Sequence, residues 1–325
     1  MFNPDHIHIA IASDQNYAKF VAVALASFFD TNTWFRQATI HLLSTGITKD
    51  GIANIKKQMP VDKSELIIHN LSDISDRLQI PVPTTISISS YNRLFLSEII
   101  SSDVDRILYI DCDVLFNKNI SSLWKYKIEN SYLGGVLDTL PDDVSKLKIN
   151  LKPTMPYINA GILLINLKKW RDDNLSHKFL AFLKAHNGIV HHHDQGIING
   201  VCKNKIIILP PIYNATTCYF SHKYNRIKST NTPFYSISEF NEAINNPHIV
   251  HFTEGFLNRP WRKNCKHPMK NIYRRYYCNT LGYDLEPDNR SYAVKILSYS
   301  FRYLPYSFYS TISRTISFIS RFLKH

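Results

Sequence analysis

Two carboxylates one residue apart, Asp111 and Asp113, end the apolar part of "RILYIDCDVLF", residues 106–116. In extended chain alternate side chains share a side, so the two acids converge while Cys112 faces away. A converging pair beside a buried strand is costly unless a proton or cation lies between its members. A hard divalent metal meets that need and leaves positions open for phosphate oxygens. The D-x-D spacing alone is common by chance, and its place directly after "ILYI" is what gives it weight. Two chemistries use such a pair. A haloacid-dehalogenase-type phosphatase forms an aspartyl phosphate, and it needs a later lysine and a Gly-Asp acidic motif. Asp142-Asp143 and Asp172-Asp173 do not follow apolar strands as that motif requires. The other chemistry holds a metal on the diphosphate of a nucleotide-sugar donor.

The elements that must position the pair alternate between strand and helix patterns. "HIHIAIA", "ATIHLLS", "SELIIHN" and the whole of residues 106–116 read as strands. "YAKFVAVALASFFD", "TKDGIANIKKQM" and "SYNRLFLSEII" read as helices between them. Later strand signals are "YLGGVLD", "YINAGILLIN", "KIIILPPIYN" and "HIVHF", with a helix through "SHKFLAFLKAHNG". Such βαβα order implies an α/β fold with a mostly parallel central sheet, and ligands bind beyond the carboxyl ends of its strands. Asp14 and Asp111 both stand where an apolar strand runs out.

Composition is that of a globular protein, with 44% apolar and 20% charged residues. The five cysteines are odd in number and form no C-x-x-C pair, which reads as reduced thiols in a cytosolic protein. The longest apolar run, "FVAVALASFF", is too short to cross a bilayer, and the N-terminus lacks a signal pattern. The net charge of +12 is lopsided: residues 1–254 carry 25 basic and 23 acidic side chains, residues 255–325 carry 13 and 3. A tail this basic points to an anionic partner. In "LPYSFYSTISRTISFISRFLKH" a helix would gather Phe308, Ile312, Ile316, Ile319 and Leu323 on one face, opposite Arg314 and Arg321. That is the pattern of an interfacial membrane helix, the plainer alternative being a helix packed on the body.

The chain resembles glycosyltransferase family 8, most closely its bacterial lipopolysaccharide galactosyl- and glucosyltransferases. The resemblance runs from about residue 6 to 262. It is carried in order by "IAIASDQNYAKF", "ISISSYNRLFL", "RILYIDCDVLF", "YINAGILLINLKKWR", "HHHDQGIING" and "HIVHFTEGFLNRPWR". It implies a single Rossmann-like nucleotide-binding domain of the glycosyltransferase A type. It further implies that Asp111, Asp113 and His251 bind manganese, and that Asp14, Asn16 and Tyr17 hold the uridine of a UDP-sugar. Arg93 and Asp138 would contact the donor sugar and phosphate and Arg259 the diphosphate, with Ala12, Cys112, Ala160 and Gly255 also in the donor-binding set. Asn159, Asp194 and Gln195 would surround the anomeric carbon, with Gly161 allowing close backbone approach. The sequence departs from the family pattern after His251. Its last loop is about two residues longer, Arg259 replaces the commoner lysine before Pro260-Trp261, and the alignment of Glu254 and Gly255 is open. The triplet His191-His192-His193 cannot converge on one ion and is read as incidental.

The resulting expectation is a catalytic domain over 1–283 and a basic, membrane-associating tail over 284–325, hinged at residues 284–289. The activity implied is metal-dependent transfer of galactose or glucose, with retention, from a UDP-sugar to a lipopolysaccharide- or capsule-type glycan. Nucleic acid is not an expected partner. The enzyme would sit in the cytoplasm, peripheral on the inner face of the membrane and near a lipid-linked acceptor. The alternatives are the phosphatase and a non-catalytic basic protein that binds membrane or nucleic acid.

Overall fold

The computed structural model describes residues 3, 5–71, 78, 88–139, 143–229, 231–304, 308, 309, 311, 312 and 315. Seven strands form the main sheet: β1 (His6–Asp14), β2 (Gln37–Thr45), β3 (Ser64–Asn70), β4 (Arg106–Ile110), β6 (Leu133–Leu137), β7 (Ile158–Asn166) and β8 (Ile206–Ile208). Their order is β3-β2-β1-β4-β7-β6-β8. Six run parallel, and β7 alone runs against its neighbours β4 and β6. The alternation of "IHIAIA" sends Ile7, Ile9 and Ile11 to one face and Ala10 and Ala12 to the other. The first face packs on the helices Ala18–Thr31 and Lys270–Leu281, the second on Leu175–Ala185 and His193–Cys202. With both faces covered, the central strands read as nearly continuous apolar runs, as in "RILYI".

The topology sets the place of the cleft. From β1 the chain moves outward to β2 and β3, then returns to lay β4 on the other side of β1. The point between β1 and β4 is therefore where strand order reverses, and their carboxyl ends open a crevice there. The reversed β7 delivers its beginning, not its end, to the same edge. Asp111 N–H donates to the Gly161 carbonyl at 2.8 Å, so Asn159 and Ala160 stand beside the acid pair. β6 brings Asp138 to this edge just past Leu137.

Three expectations change. Residues 106–116 are not one strand. β4 ends at Ile110, and β5 (Val114–Phe116) joins a separate three-stranded sheet with β9 (Ala215–Thr216) and β10 (Ile249–His251). The acid pair spans the passage between the sheets. The expected helix around Arg93 is a 3-10 helix, Ile88–Phe95, followed by one α-turn, Leu96–Ile99.

The third change concerns residues 284–303, which are tied to the body. Glu286 N–H donates to the Trp261 carbonyl at 2.8 Å, Lys263 N–H donates to the Glu286 carbonyl at 2.7 Å, and Lys19 pairs with the Glu286 carboxylate. The helix Tyr292–Tyr303 is capped by Ser291 and buries Phe301 among Cys218, Tyr219, Phe240 and Leu257. Of the expected stripe, Phe308 and Ile312 are described, while Ile316, Ile319 and Leu323, with Arg314 and Arg321, lie outside the described residues.

Away from the cleft, a histidine ladder crosses three strands. His8 Nδ1 and His41 Nε2 lie 3.2 Å apart, as do His41 Nδ1 and His69 Nε2. Each contact holds one proton between two neutral rings. Burial first, then the neighbouring rings, pushes His41 down to about 3; burial, then His6, pushes His8 down to about 4. The folded chain therefore binds fewer protons than the unfolded one below pH 6.5, and its stability falls as pH drops from there toward 4. A His41→Gln variant keeps a hydrogen-bonding side chain without the titration. Its melting temperature should fall several degrees less than that of the wild type between pH 6.5 and 4.5, at about 2–4 °C per kcal/mol. Parallel curves for the two proteins would remove the ladder as the cause.

Candidate active site

The site begins with the charge balance around the two acids. Arg93 is 5% exposed and points its Nη2 at Asp111 Oδ1 (2.9 Å), its Nε at Asp194 Oδ2 (3.0 Å) and its Nη1 at the Ala160 carbonyl. Its guanidinium also lies over the Tyr109 ring, whose hydroxyl donates to Asp111 Oδ1 at 3.1 Å. Burial disfavours the Arg93 charge, but Asp111 and Asp194 outweigh it and hold its pKa above the ordinary value. On the other side Arg259 pairs with Asp113 Oδ2, and His251 Nε2 lies 3.1 Å from Asp113 Oδ1 and 3.7 Å from Asp111 Oδ2. Against the cost of burial, His251 and Arg259 pull Asp113 down to about 2, and Asp113 in turn raises His251.

Asp111, Asp113 and His251 offer ligand atoms within 4.8 Å of one another, a grouping that suits a divalent cation. Two further observations fit it. His251 Nδ1 faces Asn214 Oδ1 at 3.0 Å, which places the proton on Nδ1 and leaves the Nε2 lone pair toward the acids when the ring is neutral. Gly161 supplies the space: a Cβ there would stand 2.1 Å from His251 Cε1 and 2.8 Å from Asp111 Oδ2.

Ala12, Asp14, Tyr17, Arg93, Asp111, Cys112 and Asp113 line one cavity of about 180 Å³, together with Ser13, Ser90 and Tyr109. Asp14 closes the turn after β1 by accepting from the N–H groups of Asn16 (2.9 Å) and Tyr17 (3.1 Å). This satisfies orphan donors at the start of the helix Ala18–Thr31 and presents the half-exposed Tyr17 ring to the cavity. Asn16 itself does not line the cavity, and its part is that backbone contact. Cys112 turns away from the acids, as expected, and its Sγ donates to the Ala12 carbonyl at 3.1 Å, tying the acid-bearing turn to β1.

The expected sugar-binding residues form one hydrogen-bonded chain. Gln195 Nε2 donates to Asp138 Oδ2 at 2.8 Å, and Gln195 Oε1 accepts from Ala160 N–H at 3.0 Å. Asn159 Nδ2 donates to the same Asp138 oxygen, while Asn159 Oδ1 accepts from Gly161 N–H and from Asn214 Nδ2. Through Asn214 the chain reaches His251. Asp194 stands apart from it, paired with Arg93, and burial raises its pKa despite that pairing. Its salt bridge fixes the orientation of Arg93. Of the histidine triplet, the His191 and His192 rings lie against each other, centroids 4.1 Å apart, but each nitrogen contact goes to a different partner: His191 to Ser145, His192 to Tyr157 and His193 to Tyr91.

The long loop after His251 resolves in an unexpected way. Glu254, not Gly255, adopts the left-handed conformation, with φ of 58°. A side chain thus stands where glycine would be free of strain. Burial, with Asp138 nearby, pushes its carboxyl up to about 7. Gly255 is exposed next to Arg259. Sequence reasoning missed Glu254 as a partly buried acid, and it missed Tyr109, Tyr157 and Asn214. Asn214 had a signal, being a polar residue at the end of the apolar run "IIILPPIYN".

A mostly parallel sheet that brings two acids and a histidine to its switch point, in a fold shared with sugar-transferring enzymes, defines a glycosyltransferase of the A type. The galactosyltransferase LgtC in complex with donor and acceptor sugar analogues superposes with a TM-score of 0.67 at 25% identity, over 84% of this chain and 96% of LgtC. The profile of Glycosyl transferase family 8 matches residues 8–265, and the chain belongs to that family. General stress protein A of Bacillus subtilis is 28% identical over 285 residues, covering 85% of this chain and 96% of that protein. The lipopolysaccharide 1,2-glucosyltransferase of Escherichia coli K12 is 24% identical over 300 residues, covering 91% of this chain and 84% of the enzyme. The phosphatase and the non-catalytic alternatives fall away.

The ligand set makes a prediction that does not depend on turnover. Asn214→Leu keeps the volume but strips His251 Nδ1 of its partner, and should weaken manganese binding about 10–100-fold. Gly161→Ala should weaken it at least as much, by displacing His251. Both are read from the free manganese signal in electron paramagnetic resonance. Unchanged affinity in both variants would show that these three side chains do not form the ion's site.

Proposed function

We propose that this enzyme transfers galactose or glucose from a UDP-sugar, with retention of anomeric configuration, to a lipopolysaccharide- or capsule-type glycan. The observation that carries the reading is the Asp111–Asp113–His251 group set against the cavity of Asp14 and Tyr17. The printed activities of the Escherichia coli relative and of LgtC support glucose and galactose equally.

Each residue's part follows from its contacts. Tyr17 offers a half-exposed ring for stacking on uracil. Asp111, Asp113 and His251 would hold the cation, and a mixed oxygen and imidazole set favours manganese over calcium. When bound, the metal would neutralise charge that builds on the departing diphosphate. Arg259 can turn its second guanidinium nitrogen toward the same phosphates, a bidentate contact that the commoner lysine lacks. Asp138 and Asn159 offer oxygen and amide groups to the sugar hydroxyls. Gln195 is a poor nucleophile, and its amide is held at both ends by Asp138 and Ala160. We infer attack by the acceptor on the face the diphosphate leaves, with a leaving phosphate oxygen taking the acceptor proton. Gln195 would then orient the sugar without bonding to it.

The C-terminal end is assigned to an anionic membrane surface at the inner leaflet. Among the described residues no helix is long and apolar enough to cross a membrane. The helix Tyr292–Tyr303 leaves Tyr292, Ile296, Tyr299 and Tyr303 exposed, and at 100° per residue these share one face opposite buried Phe301. Aromatic residues of this kind suit the headgroup level of a bilayer.

Screening UDP-hexoses for hydrolysis with manganese tests the donor. Asp113→Asn should lose at least about 100-fold of that turnover, and chelator should abolish it; a fully active variant in chelator would refute the metal's role. Gln195→Ala should retain residual transfer with the same anomeric product, whereas a glycosyl adduct on Gln195 would establish a covalent route instead.

Two truncations separate tail from body. Removing residues 305–325 should spare hydrolysis and weaken sedimentation with anionic vesicles, each basic residue near the surface contributing about 1 kcal/mol at most. Removing 284–325 should also lose hydrolysis, because Glu286 holds the Trp261 loop that carries Arg259. Vesicle binding unchanged by the shorter cut would place the membrane contact elsewhere.

A further inference from the structure

A second polar cavity, of about 170 Å³, lies between the helix Tyr292–Tyr303 and the loop 257–267. Lys266, His267, Arg290, Lys295, Arg302 and Asn258 are among its walls. Arg290 is committed, with its guanidinium paired to both Asp288 oxygens at 2.8 and 3.0 Å. Among the described residues, Lys266, Lys295 and Arg302 make no salt bridge. Lys266 and Lys295 are exposed and Arg302 is half-buried, and three cations around one small cavity make it electropositive and favour an anion there.

The neutral groups of the cavity narrow the choice of anion. His267 is 5% exposed, and its Nδ1 accepts from Met269 N–H at 3.1 Å. Its proton is therefore on Nε2, a buried donor without a partner. Burial, then Arg302, pushes this ring down to about 3, so it remains a neutral donor at pH 7. Asn258 Nδ2 donates to the Lys263 carbonyl at 3.0 Å, which leaves Asn258 Oδ1 as a buried acceptor without a partner. An anion suited to this cavity has several acceptor oxygens and one hydroxyl to donate. Sulfate has no hydroxyl at neutral pH, and a halide has neither.

We propose that this cavity is a binding site for a phosphate group in its singly protonated form, whose oxygens accept from the cations and His267 and whose one hydroxyl donates to Asn258, distinct from the donor cleft and independent of the transfer reaction assigned there. The group comes either from soluble phosphate or from a lipid headgroup that ends in a phosphomonoester.

Calorimetric titration of the full chain with inorganic phosphate, at constant ionic strength, tests the site. Saturable binding is expected, with sulfate at least tenfold weaker. Lys266→Gln with Arg302→Gln should weaken phosphate binding at least tenfold, while Lys270→Gln with Arg274→Gln, an equal loss of charge on a neighbouring surface, should not. Vesicles of phosphatidylcholine with and without phosphatidic acid distinguish the sources. Binding that requires phosphatidic acid and follows the same variants assigns the site to a headgroup, and phosphate binding without vesicle binding assigns it to a soluble ligand. Equal affinity for sulfate and phosphate, or phosphate binding unaffected in the Lys266/Arg302 variant, would overturn the proposal. Neither readout depends on sugar transfer, so failure of the donor assignment leaves this one standing.

Discussion

The structure depends on keeping two partly buried carboxylates side by side at the floor of a cleft. Asp111 and Asp113 leave a fully buried strand and cannot remain charged there without counter-charge. Arg93 and Arg259 approach from opposite sides, and His251 lies between the two acids. None of these partners is near the acids in sequence. Arg93 arrives from a 3-10 helix, Arg259 from a loop clamped by Glu286, and His251 from the end of a strand in a different sheet. Removing either guanidinium would leave its acid with His251 as the remaining cationic partner and would destabilise the charged pair. The fold is therefore committed to assembling the site as it assembles itself.

This coupling extends along one polar chain. Gln195, Asp138, Asn159, Asn214, His251 and Asp113 are linked by successive hydrogen bonds from the sugar side of the cleft to the metal side. Buried networks of this kind strengthen cooperatively when complete and are expensive when one member is missing. Under the proposed function, this one hydrogen-bonded unit would contact both halves of the donor, sugar and diphosphate. Substitutions along the chain should be non-additive, with each pair coupled through the residues between them.

Much of this was legible in the sequence. The strand and helix alternation gave the α/β class because its periodicities, 2 and 3.6, are strong over "HIHIAIA" and "YAKFVAVALASFFD". Asp111, Asp113 and His251 were named together through a family resemblance, since the turn and β10 meet only in three dimensions. The reversal of β7 was not legible: a strand buried on both faces carries no mark of its direction. Nor was the break at 111–113, because apolar residues continue on both sides of it. Asn214 stood out only as a polar residue closing an apolar run; that its amide orients His251 was not legible, because the two meet only in three dimensions. The segment 284–289 was misread as a hinge because proline, aspartate and asparagine favour turns, while its tether is a pair of backbone hydrogen bonds that no side chain announces.

The chain's passage from one sheet to the other has a mechanical meaning. β4 belongs to the main sheet and β5 to the small one, and the three residues joining them carry both acids. Phe116, at the end of β5, packs on Phe28 with ring centroids 5.1 Å apart, and its N–H donates to Ser27 Oγ at 3.1 Å. The helix Ala18–Thr31 thus sets how the small sheet is mated to the large one. The gap between the carboxylates acts as a gauge of that mating. Trimming the Phe28 ring or removing the Ser27 hydroxyl, well behind the cleft, would alter the gauge before it unfolded the protein. In this architecture the tolerance on an ångström-scale ion site is held by the fit of two hydrophobic layers, and thermal loosening of that fit would extinguish activity ahead of melting.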